Sequence, residues 1–368
     1  MEVRVQADGR ARTACPVVVP WTGGDAPAAL QGPAGVAAAQ RDGDALVMIV
    51  QVRRPDEDQV YRPAQGQPKH IVSVQDVGGR IEISVAGEPF TTYWYADVPA
   101  RPYFWPVLAP GGVPVTRAWP MREDVPDETR DHIHHRSMYF AYGDVNGADN
   151  WSEEPGHGRT VHRSVEELVS GPVFGRFRAL SDWTFSDGRK ILTQDAAVTV
   201  WNIPDSTFRM LDVDLRLTAT EGDVLFGDTK EGGLLTVRVA TPMDVRNGGR
   251  IENSFGGVNE RESWGYAAHW CDYSGVVQGT RVGIAVMDHP TSFRHPTYWH
   301  VRDYGLMGAN PFALSAYTNG RKNGSYVLRY GEEMRFRYRV VVHLGDASEA
   351  DIRSRYLDFA APPKVVVE

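Results

Sequence analysis

The stretch Leu211-Asp212-Val213-Asp214-Leu215-Arg216-Leu217 decides the fold class, because apolar and charged residues alternate along it. Successive side chains of a β-strand point to opposite faces, so the four aliphatic residues share one face and the three charged residues share the other. Residues 334–340, with the sequence MRFRYRV, repeat the pattern with arginine on the polar face. Both stretches predict strands with one face on a hydrophobic core.

Dipeptides that favour tight turns separate other apolar stretches. Gly78-Gly79, Asp187-Gly188 and Asn247-Gly248 each accept positive φ and therefore suit two-residue hairpins between antiparallel strands. The chain of 368 residues contains 37 glycines and 24 prolines, a density that fits many turns and short strands. The sequence therefore predicts an all-β protein, a large antiparallel β-sandwich with few helices.

One helix is expected, near the C-terminus. Ser348 and Asp351 have the spacing of a capping box, with Asp in place of the usual Glu or Gln. Ile352, Tyr356 and Phe359 follow at near-helical spacing, and two prolines then end the segment.

The N-terminal region has the pattern of small β-hairpins over residues 1–98, with the main sandwich expected over residues 99–368. The alternative is that the N-terminal strands form the edge of the same sandwich. Residues 26–40 are rich in alanine, but proline and glycine interrupt them, so we predict mostly loop there.

Charge and composition exclude several classes of protein. The formal net charge of −8 argues against a nucleic-acid partner, because phosphate backbones are bound by clustered Lys and Arg. No apolar run approaches the roughly 18 residues that cross a bilayer, and no secretory leader is recognisable at the start. Two distant cysteines do not make a disulfide framework. We expect a cytoplasmic protein without a membrane partner. Both a monomer and a homo-oligomer are compatible with the sequence.

The common motifs of nucleotide and metal chemistry are missing from the sequence. It contains no GxxxxGK[ST] loop, no strand–GxGxxG–helix unit, no GxSxG elbow and no HExxH helix. No cofactor is therefore predicted, with a divalent metal left as the alternative discussed next.

Three histidines occur together in the segment Asp131-His132-Ile133-His134-His135-Arg136. On a strand, His132, His134 and Arg136 would share one face. This arrangement allows acid/base catalysis or substrate contacts, a metal site with a third ligand such as Asp288, or a structural role. Because Arg136 would disfavour a nearby divalent ion, we favour acid/base catalysis by His134 and His135 and a substrate contact by Arg136.

Two further segments contribute candidates. Trp151 follows a turn-rich stretch and suits a flat platform for a sugar ring. On an extended backbone Asp228 and Lys230 would share a face, as a catalytic carboxylate–ammonium pair or as a plain surface ion pair. Glu231 beside them is a candidate substrate-binding residue.

Residues 288–312 are dense in titratable and aromatic side chains. Long polar and aromatic loops on a rigid sheet are common places for binding and catalysis. We expect His300 to be catalytic. The expected substrate-binding residues of this loop are His289, His295, Tyr298, Trp299, Arg302 and Asn310.

These segments, in this order, resemble the PmoA-like family of uncharacterised bacterial proteins over about residues 100–345. The family's label refers to a methane oxygenase subunit, whose hydrophobic helical character this chain does not share. The family pattern has Glu where this chain has Gln194, so the resemblance carries over no carboxylate there. The meander around residues 181–193 and the strand after it look like the galactose-mutarotase-type supersandwich.

The second resemblance implies action on sugars in a groove across one sheet, with His, Asp or Glu as acid and base. We therefore expect a carbohydrate-active enzyme that cleaves a glycoside or an oxidised (keto) sugar derivative by histidine-assisted hydrolysis or elimination. A sugar epimerase or mutarotase and a non-catalytic sugar-binding protein are the alternatives. Fold alone does not decide among them.

Overall fold

The computed structural model describes residues 2–21, 23–66 and 71–368. The first strands are β1 (Val3–Val5), β2 (Arg12–Pro20), β3 (Ala29–Gly32), β4 (Gly35–Asp42), β5 (Ala45–Val52), β6 (Gln59–Pro63), β7 (Val72–Asp76), β8 (Arg80–Val85) and β9 (Glu88–Trp94). They are followed by β10 (Tyr103–Val107), β11 (Met138–Tyr142), β12 (Arg159–Val169), β13 (Phe174–Thr184), β14 (Lys190–Trp201), β15 (Phe208–Thr218), β16 (Val224–Phe226) and β17 (Gly232–Arg238). The last are β18 (Arg250–Asn253), β19 (Trp270–Val277), β20 (Thr280–Asp288), β21 (Trp299–Arg302), β22 (Leu306–Ala309), β23 (Tyr326–Leu328), β24 (Glu333–Leu344) and β25 (Val365–Val367). The helices are α1 (Asn259–Ser263), α2 (Leu314–Tyr317) and α3 (Ile352–Ala360).

Two eight-stranded sheets form the main sandwich, and the expectation of an all-β antiparallel fold is confirmed. The site sheet has the strand order β21-β22-β17-β11-β10-β9-β8-β7, and the back sheet has the order β12-β13-β14-β15-β24-β20-β19-β18. Strands β16 and β23 pair as a small separate ribbon. No helix among the described residues is long and apolar enough to span a membrane.

The two sequence stretches with alternating polarity lie side by side at the centre of the back sheet. Strands β15 and β24 pair antiparallel, with Leu215 opposite Phe336. Their apolar side chains are buried in one core with apolar residues of the site sheet. On the other face Asp214 pairs with Arg335. Alternation thus places a large apolar area inside and a row of charges outside.

The N-terminal strands form a third sheet, with the order β2-β5-β4-β3-β6-β1-β25 and a small core of its own. An apolar cluster that includes Val47 and residues of α3 joins it to the outer face of the back sheet. The change of sheet falls between β6 and β7, since β7–β9 pair onward to β10 in the site sheet.

The prediction of mostly loop over residues 26–40 is wrong, because β3 and β4 form a hairpin there. Ala29 pairs with Ala38, and Gly35 has a φ of +119° at the turn. Strand β4 also pairs with β5, where Ala39 lies opposite Met48. These tertiary backbone hydrogen bonds outweigh the poor strand propensity of alanine.

Two of the predicted turns are hairpins and one is not. Gly78-Gly79 joins β7 to β8 with positive φ at both glycines, and Asp187-Gly188 lies between β13 and β14. Asn247-Gly248 instead ends a 3₁₀ turn, with Gly248 at a φ of +92°.

Helix α3 is confirmed, and it buries the expected residues Ile352, Tyr356 and Phe359. The expected capping is wrong, because Asp351 has a φ of +50° and its side chain makes no capping hydrogen bond.

Gln194 lies inside the main core. It is 1% exposed, and its Oε1 accepts a 2.9 Å hydrogen bond from Nε1 of the buried Trp183. A carbonyl acceptor is thus required opposite the indole N–H, since an unpaired buried donor is costly.

We predict that Gln194→Leu lowers the free energy of unfolding by about 1–3 kcal/mol, because the Trp183 indole N–H loses its acceptor. Urea unfolding of Q194L, W183F and the double variant completes a double-mutant cycle. A coupling energy near zero between the two positions would contradict the proposed pairing.

Candidate functional site

The three neighbouring histidines lie on a turn, so the shared face that a strand would give His132, His134 and Arg136 does not arise. Strand β11 begins only at Met138, while His132 has a φ of +44° and the His135 N–H donates to the His132 carbonyl at 2.9 Å. The turn gathers the imidazoles, with ring centroids 4.7 Å apart for His132 and His135 and 4.4 Å apart for His134 and His135.

Two buried arginines hold this histidine turn. Arg117 donates to the carbonyls of His132 and His135, at 2.9 and 3.2 Å. Both Arg117 and Arg238 donate to one carboxylate oxygen of Asp131. Neither arginine was among the predicted functional residues, although Arg238 is the charged residue of an otherwise uncharged strand.

Arg238 also determines the tautomer of His135. Its Nη1 lies 3.3 Å from Nδ1 of His135. A guanidinium group only donates hydrogen bonds, so Nδ1 of His135 is the acceptor and the ring proton lies on Nε2.

Trp151 connects the histidine turn to His300. Its indole lies 5.7 Å from His134, 5.5 Å from His135 and 6.4 Å from His300, between ring centroids. Trp151 is only 2% exposed, and Arg101 donates to its carbonyl at 2.8 Å. Trp151 therefore forms a floor beneath the histidines, in place of the exposed platform that we expected.

The strand order explains how these segments meet. Strands β21, β22, β17 and β11 are consecutive neighbours in the site sheet. Trp299 and Val301 face the main core, so His300 between them points to the outer face of the sheet. The hairpin from β21 to β22 turns at Tyr304, whose ring stacks on His132 at 5.1 Å.

The expected pair of Asp228 and Lys230 does not form among the described residues. The carboxylate of Asp228 accepts backbone N–H groups of Ser315 and Gly324, at 2.9 and 2.6 Å. Lys230 pairs instead with Glu231. Backbone donors thus occupy the Asp228 carboxylate, which anchors α2 and the segment after it. The carboxylate on the rim of the site is Glu231.

Two other predicted substrate-binding residues, Arg136 and Asn310, are bonded to other groups of the protein. Arg136 forms a bidentate pair with Glu153, with both distances 2.7 Å. Asn310 holds the loop before β17, since its side-chain amide donates to the carbonyls of Thr229 and Gly232 at 3.2 and 3.3 Å.

Two aromatic residues of the 288–312 segment pack away from the histidine turn. Trp299 is buried in the main core and donates to the Ala268 carbonyl at 2.9 Å, which contradicts its expected substrate contact. Tyr298 stacks on Tyr317, with ring centroids 5.8 Å apart.

Burial controls the protonation of the histidines. Burial, with help from Arg101 and His132, lowers the pKa of His134 to about 4. Burial also lowers the pKa of His300 to about 4, although the nearby Glu231 opposes the shift. For the fully buried His135, burial and its charged neighbours move the pKa well below its ordinary value. These imidazoles are uncharged at neutral pH.

The rim supplies the complementary charges. Burial alone would raise the pKa of Glu231, but Lys230 and the neighbouring histidines outweigh it and lower that pKa. Burial raises the pKa of Tyr304, so its hydroxyl keeps its proton. Glu231 is 48% exposed, whereas His300 is 3% exposed. The site thus has a charged rim over a buried, uncharged floor.

His289 and His295 belong to a second group near α3. His295 contacts Asp288 at 2.8 Å and His269 at 3.2 Å, and His289 packs edge-on against Phe359. Among the described residues, no hydrogen bond or ring contact joins this group to the histidine turn. The 288–312 segment therefore divides: His300 and Leu306 pack near Trp151 and Tyr304 stacks on His132, whereas His289 and His295 lie in the second group.

A metal site with His132, His134 and Asp288 as ligands does not assemble. Asp288 accepts the N–H of Thr297 and contacts His295 in the second group. Over residues 2–21, 23–66 and 71–368, no three His, Cys, Asp or Glu side chains are arranged to hold a metal ion.

Comparison with known families gives a match over most of the chain. A family of unknown function, DUF6807, matches residues 80–356, and the chain belongs to this family. The matched region begins at the first residue of β8 and ends within α3, so it contains both histidine groups. No curated protein matches the chain.

We predict that His300 makes stability fall with acidity. Its pKa is about 4 when folded, against about 6.5 in the unfolded chain, so between these values the unfolded chain binds more protons. The contribution of neutral His300 to the free energy of unfolding is complete above pH 6.5 and is lost as the pH falls toward 4. His300→Gln should reduce the slope of unfolding free energy against pH by about 1 kcal/mol per unit near pH 5.

Urea unfolding at a series of pH values measures this slope. Proton NMR titration, with the H300Q spectrum to assign the ring signals, measures the pKa directly. A titration midpoint of His300 near 6.5 would contradict the prediction.

Proposed function

We propose that this member of the DUF6807 family is a carbohydrate-active enzyme that cleaves a glycoside or an oxidised (keto) sugar derivative with histidine acid/base chemistry. The observation that supports it most is that the buried imidazoles of His134 and His300 both pack near Trp151 and lie close enough to Glu231 to influence its pKa. Neutral imidazole and ionised carboxylate are both bases at neutral pH. Tyr304 keeps its hydroxyl proton as a hydrogen-bond donor. Lys230, which pairs with Glu231, and Arg302, whose Nε pairs with Glu260 at 3.2 Å, carry further N–H donors.

The balance of acids and bases favours elimination over ordinary hydrolysis. Hydrolysis with two carboxyl groups needs one of them protonated at working pH, which requires a raised pKa. The pKa of Glu231 is lowered. The hydrogen bond with His132 and the charges of Arg238 and Arg117 outweigh burial and likewise hold the pKa of Asp131 far below its ordinary range. Removal of a proton next to a carbonyl needs only a base and a donor for the oxyanion.

The proposed step starts from a sugar that already carries a ketone at C3. His134, His300 or Glu231 takes the proton from C2, and the C–H electron pair forms an enolate whose oxygen accepts hydrogen bonds from Tyr304 or Arg302. The enolate then collapses to a C1–C2 double bond as the C1–O bond breaks. The leaving oxygen takes a proton from Lys230 or water, which balances the reaction without an oxidant.

The sugar itself suits the surroundings of the site. Tyr304 and His132 present stacked, partly exposed rings beside polar groups, the kind of surface on which a sugar ring packs. The resemblance to mutarotase-type supersandwiches supports the same substrate class. The proposal includes a small-molecule substrate, no nucleic acid or membrane partner, and no metal or other cofactor. It also includes a cytoplasmic location, which the free thiols of Cys15 and Cys271 support.

We predict that the protein releases the aglycone from 3-keto glycosides and leaves an unsaturated keto sugar. The purified protein is incubated with chromogenic glycosides and their 3-keto forms, in D₂O and in water. Release from the keto forms together with an unsaturated product supports elimination. Deuterium uptake at C2 without release would instead indicate an epimerase, and binding without either reaction would indicate a sugar-binding protein.

We expect His134→Gln, His300→Gln and Glu231→Gln each to lower kcat/KM by about 10²- to 10⁴-fold, the usual range for a lost acid/base group. His162→Gln, in β12 and packed on Tyr95, is the matched control and should retain activity. Treatment with a chelator, with the metal content followed by elemental analysis, should leave the rate unchanged. Loss of a stoichiometric metal together with activity would contradict the histidine mechanism.

A further inference from the structure

A cavity of about 480 Å³ lies on the outer face of the back sheet, where the N-terminal sheet overhangs it. We call it the arginine cavity. It is lined by four arginines (Arg176, Arg178, Arg216 and Arg337), five carboxylates (Asp42, Glu167, Asp195, Asp212 and Asp214) and the aromatic residues Phe174, Trp201 and Phe359. It shares no lining residue with the histidine turn, and the proposed function does not use it.

The register of four adjacent strands explains the depression. Arg178, Ala197, Asp214 and Arg337 lie opposite one another in a row across β13, β14, β15 and β24. Ala197 is the small member of this row, so long charged side chains surround a low point. The same outward alternation that follows from core burial therefore creates a polar cavity.

One cation in the cavity lacks a carboxylate partner. Arg176 pairs with Asp42, and Arg178 pairs with Asp195. Arg337 has no carboxylate oxygen within 4.0 Å in the described part of the chain, and its hydrogen bonds to His289 and Thr291 are long, at 3.3–3.5 Å. Burial and the neighbouring Arg335 lower the pKa of Arg337, although the carboxylates of Asp214 and Asp212 oppose the shift.

The other walls define the rest of the ligand. Phe359 lies beside Arg337, with the guanidinium carbon 5.9 Å from the ring centroid, and Trp201 and Phe174 continue the apolar side. Paired Arg and Asp side chains opposite them offer donors and acceptors for several hydroxyl groups. The volume falls in the usual range for small-ligand pockets.

We propose that the arginine cavity binds a monosaccharide-sized sugar carboxylate, such as a uronate. The carboxylate pairs with Arg337, the hydroxyls bind the Arg and Asp side chains, and the apolar face of the ring packs toward Phe359. A guanidinium fork matches a carboxylate with two parallel hydrogen bonds, so the charged group fixes the orientation.

Isothermal titration calorimetry with glucuronate, glucose and inorganic phosphate tests the proposal. Glucuronate should bind the full chain with one-to-one stoichiometry and at least tenfold more tightly than glucose or phosphate. Arg337→Met should remove the preference for glucuronate, and Arg337→Lys should retain part of it. Ala197→Phe, on the outer face of the sheet, should fill the cavity and abolish binding of both sugars.

Two control variants test whether the measured binding occurs in the arginine cavity and not at the histidine site. Arg189→Met changes an exposed arginine of the hairpin between β13 and β14 and should not alter binding. His134→Gln should not alter it either. Absence of glucuronate binding, equal affinity for glucose or phosphate, or binding that survives both R337M and A197F in folded protein would each overturn the proposal.

Discussion

Burial of two apolar sheet faces against each other is the constraint on which the rest of the structure depends. Strands β15 and β24 show it most clearly, since every second side chain enters the core. The remaining side chains must then face outward, where charged residues keep their hydration or pair with one another. The histidine site on one sheet and the arginine cavity on the other both occupy outer faces created in this way.

Buried charge gives the histidine turn its definite shape. Arg117 and Arg238 lie in the interior, and such cations are costly unless donors and acceptors match. Asp131 and the carbonyls of the turn supply that match, so the backbone around His132 stays in a left-handed conformation. The same exclusion of water keeps His134 and His300 uncharged, which connects the packing directly to the proposed base chemistry.

The 288–312 segment shows how topology divides residues that are close in sequence. Strand β20 ends in the back sheet at Asp288, and β21 begins in the site sheet at Trp299. The connection between them crosses from one layer of the sandwich to the other. His295 therefore packs near α3, whereas His300 reaches Trp151. Density of titratable residues identified the segment, but it did not indicate that two separate groups would form.

The sequence by itself determined the features that depend on local pattern. Alternation in β15, the glycine turn between β7 and β8, and the spacing of Ile352, Tyr356 and Phe359 each act over a few residues, so they predicted strands, a hairpin and a helix correctly. It also selected His134 and His300 from segments dense in titratable side chains, and both pack near Trp151 in the structure.

Only the tertiary structure decided which of those residues meet. The turn at His132 depends on hydrogen bonds from Arg238, which is more than a hundred positions away in sequence. Asp228 is occupied by backbone donors from beyond β22, so Glu231 takes the place on the rim. Long-range hydrogen bonds and strand order carry no periodic signal, and for that reason local sequence pattern leaves them undetermined.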